Sequence, residues 1–243
     1  MVISMMTKKK LIYSFFIVVL TGGILLLYNA FNGNPISKFL AKKELKTYLA
    51  ETYPDEEFYI EDGFYNFKFG SYDFNVVLIG EEDAEYEVTL TGFIKPEIWY
   101  DDIYYSRLDE PLIEKLSREA SEEVLELLEK EVDHIVALDV EIEVSQGTYP
   151  KDTSWNKSLT LEKPLNFFIV LDSTTKTKED TLQSAIAIQT LLNEARYDYE
   201  RVTINGNILD EEGKEIADTG YVKYALSFGP NTKLKIKDIS DHE

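Results

Sequence analysis

The chain has 243 residues, of which 44% are hydrophobic and 13% aromatic, so it is long enough for one large core or two small ones. It has no cysteine, which excludes disulfide bonds, thiolate metal sites, cysteine nucleophiles and lipid attachment through an N-terminal cysteine. The formal net charge is -20, which argues against a nucleic-acid partner because phosphate binding needs a positive surface.

An uncharged apolar segment runs from Leu11 to Phe31. About 20 helical residues cross the hydrocarbon layer of a bilayer, so we predict a transmembrane helix over residues 11–31. Three lysines precede it, and the positive-inside rule places residues 1–10 in the cytoplasm and the rest outside, although further lysines at 38–46 compete with that orientation. No small-x-small cleavage site is well marked, so we expect a retained anchor. The alternative is a buried core helix of a cytosolic protein.

Residues 34–53 are predicted to form a helix, because Asn34 can cap free amides and Pro35 is tolerated in the first turn. Two interpretations of this helix stay open: it lies along the lipid headgroups through its lysines, or it packs on the sheet that follows. Its apolar residues fall mostly on one side: Ile36, Phe39, Leu40, Leu45 and Leu49.

Four short segments then alternate apolar and polar residues, which is typical of half-buried antiparallel strands. Asp62-Gly63 between the first two segments indicates a tight hairpin turn. With the preceding helix, these strands form a predicted unit over residues 34–108, a helix plus an antiparallel meander. The alternating apolar residues are Phe58 and Ile60; Tyr65, Phe67 and Phe69; Phe74, Val76 and Leu78; and Tyr86, Val88 and Leu90.

A second α+β unit is predicted over residues 109–243. Asp109-Glu110-Pro111 starts a helix that runs to about Ile135 with an apolar stripe. Strands at 137–144 and 165–171 follow, with a polar loop between them. Thr177 with Asp180 resembles a capping box at the start of a third helix.

Two further strands are predicted at 201–209 and 221–228. The order of elements predicts an α+β fold: an N-terminal transmembrane helix followed by two small units, each a helix plus a mostly antiparallel sheet. A single continuous sheet is the alternative.

Negative charge is concentrated in residues 51–145, which hold 28 Asp and Glu against six Lys and Arg, while residues 146–243 hold 16 against 12. The densest aromatic run, IWYDDIYY, lies in this acidic part. Acids among aromatic rings can bind a cation, so a cationic peptide, an envelope protein or a sugar is a predicted partner. Alternatively, the rings belong to the core and the acids keep the domain soluble. The candidate ligand-binding residues are Trp99, Tyr100, Asp101, Asp102, Tyr104 and Tyr105.

One acidic cluster is a candidate calcium site, because hard cations prefer clustered carboxylate oxygens. It lies between two predicted strands and lacks the spacing of an EF-hand, so a solvated hairpin tip is the favoured alternative. No other cofactor is expected. The candidate metal-binding residues are Glu81, Glu82, Asp83 and Glu85.

No catalytic motif is present. The two histidines, His134 and His242, belong to no hydrolase pattern, and the sequence lacks the nucleophile elbow, the phosphate loop and the zinc-protease motif. We therefore predict a non-catalytic, single-pass, extracytoplasmic interaction module without catalytic residues. The alternative is a cell-envelope hydrolase that uses paired carboxylates, although the many acids allow no pair to be chosen.

The segment from Asn34 to Phe74, NPISKFLAKKELKTYLAETYPDEEFYIEDGFYNFKFGSYDF, follows the apolar segment. In this arrangement the chain resembles the YfjL-type uncharacterised membrane-anchored proteins of Gram-positive bacilli. The resemblance lies in a packing pattern and implies a single-membrane bacterium with the folded part facing the cell wall. It implies no activity, so no functional residues are carried over.

Overall fold

The structure is a computed structural model that describes residues 8–80, 84–209 and 221–242. Backbone contacts divide the chain into two compact units, an N-terminal unit that ends at Ser106 and a C-terminal unit that begins at Arg107. Each unit contains a five-stranded sheet with helical cover. The chain is therefore an α+β protein with two sheets, as the order of elements predicts.

Helix α1 covers Lys8–Asn32. It is long and apolar enough to cross a membrane, and none of its most apolar stretch is buried in the protein. A core helix of a cytosolic protein would be mostly buried, so that alternative does not fit the structure. An anchor and a signal sequence share the properties of α1, because both are apolar helices close to the N-terminus.

A two-residue joint leads from α1 into α2, Pro35–Thr52. Asn34 caps α2 as predicted, since its side-chain oxygen accepts a hydrogen bond from the Ile36 amide at 2.8 Å. The Asn34 amide donates to the Tyr72 hydroxyl oxygen at 2.7 Å, and that hydroxyl donates back to the Asn34 carbonyl at 2.9 Å. Gly33 has φ 75°, and a Cβ there would lie 2.6 Å from the same hydroxyl oxygen. The joint is therefore fixed to the sheet.

Five strands form the N-terminal sheet, and a short helix follows them. They are β1 (Phe58–Ile60), β2 (Phe64–Asn66), β3 (Ser71–Leu78), β4 (Glu85–Thr91), β5 (Glu97–Asp101) and α3 (Asp102–Ser106). The order is β1-β3-β4-β5, β2 also pairs with β3, and all of these pairs are antiparallel. The prediction contained the first four strands and missed β5.

Helix α2 packs on this sheet by burying Ala41, Leu45 and Leu49 in one cluster with the β3 and β4 side chains. The prediction of its inner face was partly wrong, because Ile36 and Phe39 are each 68% exposed. Both residues belong to the first turns of the helix, directly after the joint. The exposed pair leaves an apolar surface at the start of α2.

The hairpin predicted at Asp62-Gly63 is wrong. Strands β1 and β2 pair with different parts of β3 and not with each other, so the linker between them is not a two-residue turn. Gly63 is needed for another reason: a Cβ at this position would lie 2.5 Å from the Phe74 ring. Asp62 is held at 2.8 Å from the Lys38 ammonium of α2.

The C-terminal unit has two helices and a five-stranded sheet. The elements are α4 (Glu110–Leu128), β6 (Ile135–Glu141), β7 (Leu165–Asp172), α5 (Lys178–Glu194), β8 (Tyr199–Asn207), β9 (Val222–Phe228), a 3-10 turn (Ile236–Asp238) and β10 (Ser240–Asp241). The strand order is β10-β9-β8-β7-β6. Helix α4 ends earlier than predicted, and β6 begins at Ile135, where the prediction ended the helix.

The C-terminal sheet is mostly antiparallel, as predicted, but β7 and β8 are parallel and α5 forms the connection between them. The buried sides of α4, α5 and the sheet form one large core. Both helix starts match the prediction: the Asp109 side chain accepts from the Leu112 amide, and Thr177 and Asp180 form the capping box.

Candidate functional site

Two turns project from the same end of the N-terminal sheet. They connect β2 with β3 (67–70) and β4 with β5 (92–96), and they lie together because Ser71 is paired with Thr91. We call this the near end of the sheet. The far end is where β3 stops and β4 starts, with Val77 paired to Glu85.

Five large hydrophobic side chains stand exposed at the near end, and two of them touch: the Phe69 and Trp99 rings stack with centroids 6.5 Å apart. Soluble monomers rarely leave such side chains together on their surface, so the group needs an explanation. We call the group the apolar rim; it consists of Phe67 (54% exposed), Phe69 (69%), Phe93 (61%), Ile94 (74%) and Trp99 (66%).

Glycines shape both turns. Gly70 has φ 67° and Gly92 has φ 100°, conformations that other residues rarely adopt. A Cβ on Gly92 would also collide with the carbonyl oxygen of Lys95, so the second turn closes only with glycine. Phe93 and Ile94 follow in that turn, and both side chains are exposed there.

The near end lies beside the C-terminal part of α1. The Phe31 and Phe67 rings have centroids 5.5 Å apart. A groove of about 420 Å³ is lined by Leu26 from α1 and by Gly92 and Phe93 from the second turn. Leu26 precedes Phe31 by five residues, which corresponds to about 7 Å along a helix. The second turn therefore reaches alongside the last turns of α1.

Charge is distributed unevenly along this unit. Beyond α1, its basic residues are six lysines, four on α2 and two, Lys68 and Lys95, in the projecting turns. One acid, Glu97, starts β5 at the near end, whereas the acidic run 55–57 leads into β1 and Glu85 opens β4 at the far end. The near end is thus apolar and basic, and the far end is acidic.

The aromatic run predicted as a ligand site divides between two places. Trp99 belongs to the apolar rim, while Tyr100 and Tyr105 stack with centroids 5.2 Å apart and Tyr104 meets Tyr105 edge-on at 5.5 Å. The Tyr100 hydroxyl donates to the Asp102 carboxylate at 3.2 Å. Burial, followed by the charge of Asp102, raises the pKa of Tyr100. We call Tyr100, Asp102, Tyr104 and Tyr105 the tyrosine patch.

Asp101 has a structural environment. It is 5% exposed, and one carboxylate oxygen accepts from the hydroxyls of Tyr48 and Tyr53 at 2.5 and 2.6 Å. The other oxygen accepts from the amides of Ile103 and Tyr104 at the start of α3. Burial, and then the Asp101 carboxylate, raise the pKa of Tyr48 to about 12 and also raise that of Tyr53. With four donors around it, this carboxylate ties α2 to β5 and α3.

Glu87 on β4 lies near two other carboxylates, Asp73 and Asp102, and the second of these belongs to the tyrosine patch. Burial, followed by the charges of Asp73 and Asp102, raises its pKa. Within the described part of the chain, neither Glu87 nor Asp102 forms an ion pair with a basic side chain. Among the described residues, no basic side chain is paired with the negative charge of these two carboxylates.

The candidate calcium ligands Glu81, Glu82 and Asp83 lie outside the described residues, and Glu85 is exposed at the start of β4. Among the described residues, no group of three or more His, Asp or Glu side chains is arranged to hold a metal ion. Calcium binding stays a prediction.

His134 in the C-terminal unit forms contacts that resemble a catalytic triad. Its Nε2 lies 3.3 Å from the Ser184 hydroxyl and its Nδ1 lies 3.1 Å from the Asp133 carboxylate. However, Ser184 is buried within α5 and donates to the Asp180 carbonyl, while the Asp133 side chain is 92% exposed. A catalytic nucleophile needs an accessible hydroxyl and a fixed orienting group, which this arrangement does not provide. The Ser184 contact instead connects the turn before β6 with α5.

The paired-carboxylate hypothesis draws no support from the buried acids of the described chain, which are Asp73 and Asp101. Asp73 accepts hydrogen bonds from Ser71 at 3.0 Å and Asn66 at 3.3 Å. Asp101 is occupied by the four donors described above. Both carboxylates are engaged by donors within the fold.

The sequence prediction missed the apolar rim. The alternation of apolar residues extends the second predicted strand through Phe67 and Phe69, and it does not mark Phe93 and Ile94. The signal was present in the segment Gly92-Phe-Ile-Lys-Pro96, where a turn carries two large apolar residues.

Known proteins match the chain along most of its length. The YfjL-like N-terminal domain model matches residues 8–102, and the YfjL-like C-terminal domain model matches residues 119–240. A Bacillus subtilis protein named "Uncharacterized protein YfjL" is 30% identical over 237 residues, covering 96% of this chain and 98% of the relative.

A solved structure was also found, that of a DUF5037 family protein from Ruminococcus gnavus. It is 13% identical and covers 76% of this chain and 88% of its own, with a TM-score of 0.22. A score this low supports no conclusion about the fold or the function of the chain.

Proposed function

The chain belongs to the YfjL-like family, and from that premise we propose that it is a single-pass membrane protein whose outer part is a non-catalytic interaction module. In this proposal α1 is a retained anchor, residues 1–10 lie in the cytoplasm, and both folded units lie outside the cell membrane.

One observation carries the anchoring proposal: none of the most apolar stretch of α1 is buried in the protein, yet the joint that follows α1 is hydrogen-bonded to a folded unit. A fully apolar helix surface is stable in the hydrocarbon of a bilayer and unfavourable in water. The hydrogen bonds between Asn34 and Tyr72 fix the end of α1 to the sheet of the N-terminal unit. Such a fixed connection favours a retained anchor over a segment that is removed.

Cysteine labelling on intact cells tests this topology, because the chain has no cysteine of its own. We expect a membrane-impermeant maleimide to label Ile79→Cys, which is exposed at the far end, in intact cells. We expect Thr7→Cys to be labelled only after lysis. Labelling of both variants only after lysis, or a mature protein whose mass lacks the first 30 or so residues, would refute the proposal.

The interaction partner we propose is cationic, such as a basic peptide or a basic segment of an envelope protein. The tyrosine patch supports this, since stacked Tyr100 and Tyr105 rings adjoin the Asp102 carboxylate, and Glu87 adds charge that the described protein does not neutralise. Rings and carboxylates together attract an ammonium or guanidinium group.

Binding of a short oligolysine peptide to the full-length protein in detergent micelles tests this partner class. An exposed ion pair contributes up to about 1 kcal/mol, so Asp102→Asn should weaken binding by up to about five-fold, with a loss of affinity as salt increases. The matched control is Glu85→Gln, which removes the same charge at the far end. Equal weakening by both variants would mean that net charge, and not the patch, attracts the peptide.

A further inference from the structure

We infer that the apolar rim lies in the boundary between headgroups and acyl chains of the same bilayer that α1 crosses. The N-terminal unit then rests on the membrane with its near end and directs its far end away from it. This inference rests on the anchoring proposed above and assigns a lipid-contacting surface to a part of the folded unit.

The depth of the rim relative to α1 is the first support. Phe67 contacts Phe31 at the end of the apolar segment, and Phe93 shares a groove with Leu26, about 7 Å earlier in the helix. When Leu26 lies among acyl chains, a side chain at the same level beside it meets the same environment. The second turn therefore enters the outer edge of the hydrocarbon layer.

The chemistry of the near end is the second support. Tryptophan is enriched at the membrane–water interface, and phenylalanine occurs with it on the lipid-facing side of helices that lie in this interface. Lys68 and Lys95 lie in the same two turns, and a lysine can extend its apolar stem along the acyl region while its ammonium reaches the phosphates. Anionic headgroups attract such lysines and repel the acidic far end.

Continuity with α1 identifies lipid as the occupant. The exposed apolar surface of α1 and the apolar rim meet at the Phe31–Phe67 contact. Whatever covers the last turns of α1 must therefore also cover the rim. Acyl chains cover α1 in the proposed topology, and they are the simplest cover for both.

Single-cysteine probes in the full-length protein test the inference, again because no native cysteine interferes. Three exposed isoleucines are each changed to cysteine and labelled with an environment-sensitive fluorophore: Ile24 in α1, Ile94 in the rim and Ile79 at the far end. The proteins are reconstituted in phosphatidylcholine–phosphatidylglycerol vesicles that contain a phospholipid with a nitroxide quencher near the top of its acyl chain.

We expect strong quenching and a blue-shifted emission from Ile24→Cys and Ile94→Cys, and neither effect from Ile79→Cys. Ile79 is the matched control because it is also a surface isoleucine, 53% exposed against 74% for Ile94, and lies at the opposite end of the sheet. Each substitution replaces an exposed side chain, so the fold should be kept.

The other outcomes refute the lipid contact of the rim, the orientation of the N-terminal unit or the anchor. Quenching of Ile24→Cys without Ile94→Cys refutes the lipid contact of the rim and leaves the anchor standing. Quenching of Ile79→Cys as well refutes the proposed orientation, because the far end of the sheet would then also contact the bilayer. Absence of quenching at Ile24→Cys refutes the anchor, and the inference fails with it.

Discussion

The two units share an architecture of helices on a sheet, but their surfaces differ. The most exposed large hydrophobic residue described in the C-terminal unit is Val136 at 42%, whereas the N-terminal unit beyond α1 reaches 74% at Ile94. The described C-terminal unit therefore keeps each of its large hydrophobic side chains more than half covered. The N-terminal unit leaves apolar side chains exposed where the apolar helix enters it, so the surface proposed to contact lipid belongs to one unit only.

The cores differ in size as well. The main buried cluster has 25 hydrophobic residues in the C-terminal unit and ten in the N-terminal unit. Because a small core leaves a smaller excess of burial over conformational entropy, we expect the N-terminal unit to unfold first in urea. The two units should then unfold in separate transitions.

The largest effect is expected from truncation of a buried ring. Phe74→Ala should destabilise the N-terminal unit by about 3–5 kcal/mol, because the ring is fully buried in the small cluster. The matched variant Phe167→Ala removes a ring that is 2% exposed in the C-terminal core. In urea unfolding followed by circular dichroism, each variant should shift one transition only; a shift of both transitions would show that the units unfold as one.

A smaller effect is expected from Asp101→Asn. The amide keeps the shape but loses acceptor capacity, so a buried donor loses its partner, at a cost of about 1–3 kcal/mol in the N-terminal unit. The pKa of Tyr48 should fall from about 12 towards the ordinary value of 10, which absorbance titration at alkaline pH measures. Glu85→Gln, which removes a charge from an exposed position on β4, is the control for charge. An unchanged tyrosine titration in Asp101→Asn would contradict the network.

The sign of this pH dependence follows from linkage. Tyr48 has a higher pKa in the folded than in the unfolded chain, so its stabilising contribution is complete below pH 10 and is lost as pH rises through about 12. The N-terminal transition should therefore weaken in this alkaline range, and Asp101→Asn should reduce the pH dependence.

In the C-terminal unit, a loss of about 1 kcal/mol is expected from Ser121→Ala. The Ser121 hydroxyl on α4 accepts from the Val140 amide of the edge strand β6 at 3.0 Å. Removal of this acceptor leaves the amide without its partner, which should lower the urea midpoint of the C-terminal transition. Ser117→Ala, one turn earlier on the same helix, should change stability less; an equal change would point to the helix itself.

The smallest effect is a stabilisation by Glu87→Gln. Because the folded chain raises the pKa of Glu87, the folded state is less favourable to the carboxylate than the unfolded state is. The variant should therefore be slightly more stable than the native protein at neutral pH, and the difference should disappear below the ordinary pKa of 4.5. A stabilisation that is independent of pH would have another cause. Glu85→Gln, on the same strand, is the control.

The parts of the fold that depend on neighbouring residues were predictable from the sequence. The three helix starts at Asn34, Asp109 and Thr177 were placed correctly because a cap needs only residues within one turn. The partner strands of β1 and β2 were not predictable. Both strands pair with β3, and a local alternation pattern gives no information about which strand is the partner.

The candidate sites show the same limit. Its position in an aromatic run places Asp101 among the candidate ligand-binding residues, but its donors Tyr48 and Tyr53 come from a distant part of the chain. The apolar rim depends on the pairing of β3 with β4, which brings two separate turns together. The sequence therefore shows that this segment is acidic and aromatic. It does not show which of these side chains are buried and which are exposed, because their contacts come from distant parts of the chain.

The joint between α1 and α2 has a mechanical consequence for the proposed anchor. Since Tyr72 holds Asn34 by two hydrogen bonds and Gly33 packs against the same hydroxyl, the connection acts as a stiff elbow and not as a flexible tether. A spanning helix changes its tilt with the thickness of the bilayer. Lipid composition would thus be transmitted as a rotation of the N-terminal unit, which makes its outer face sensitive to the membrane beneath it.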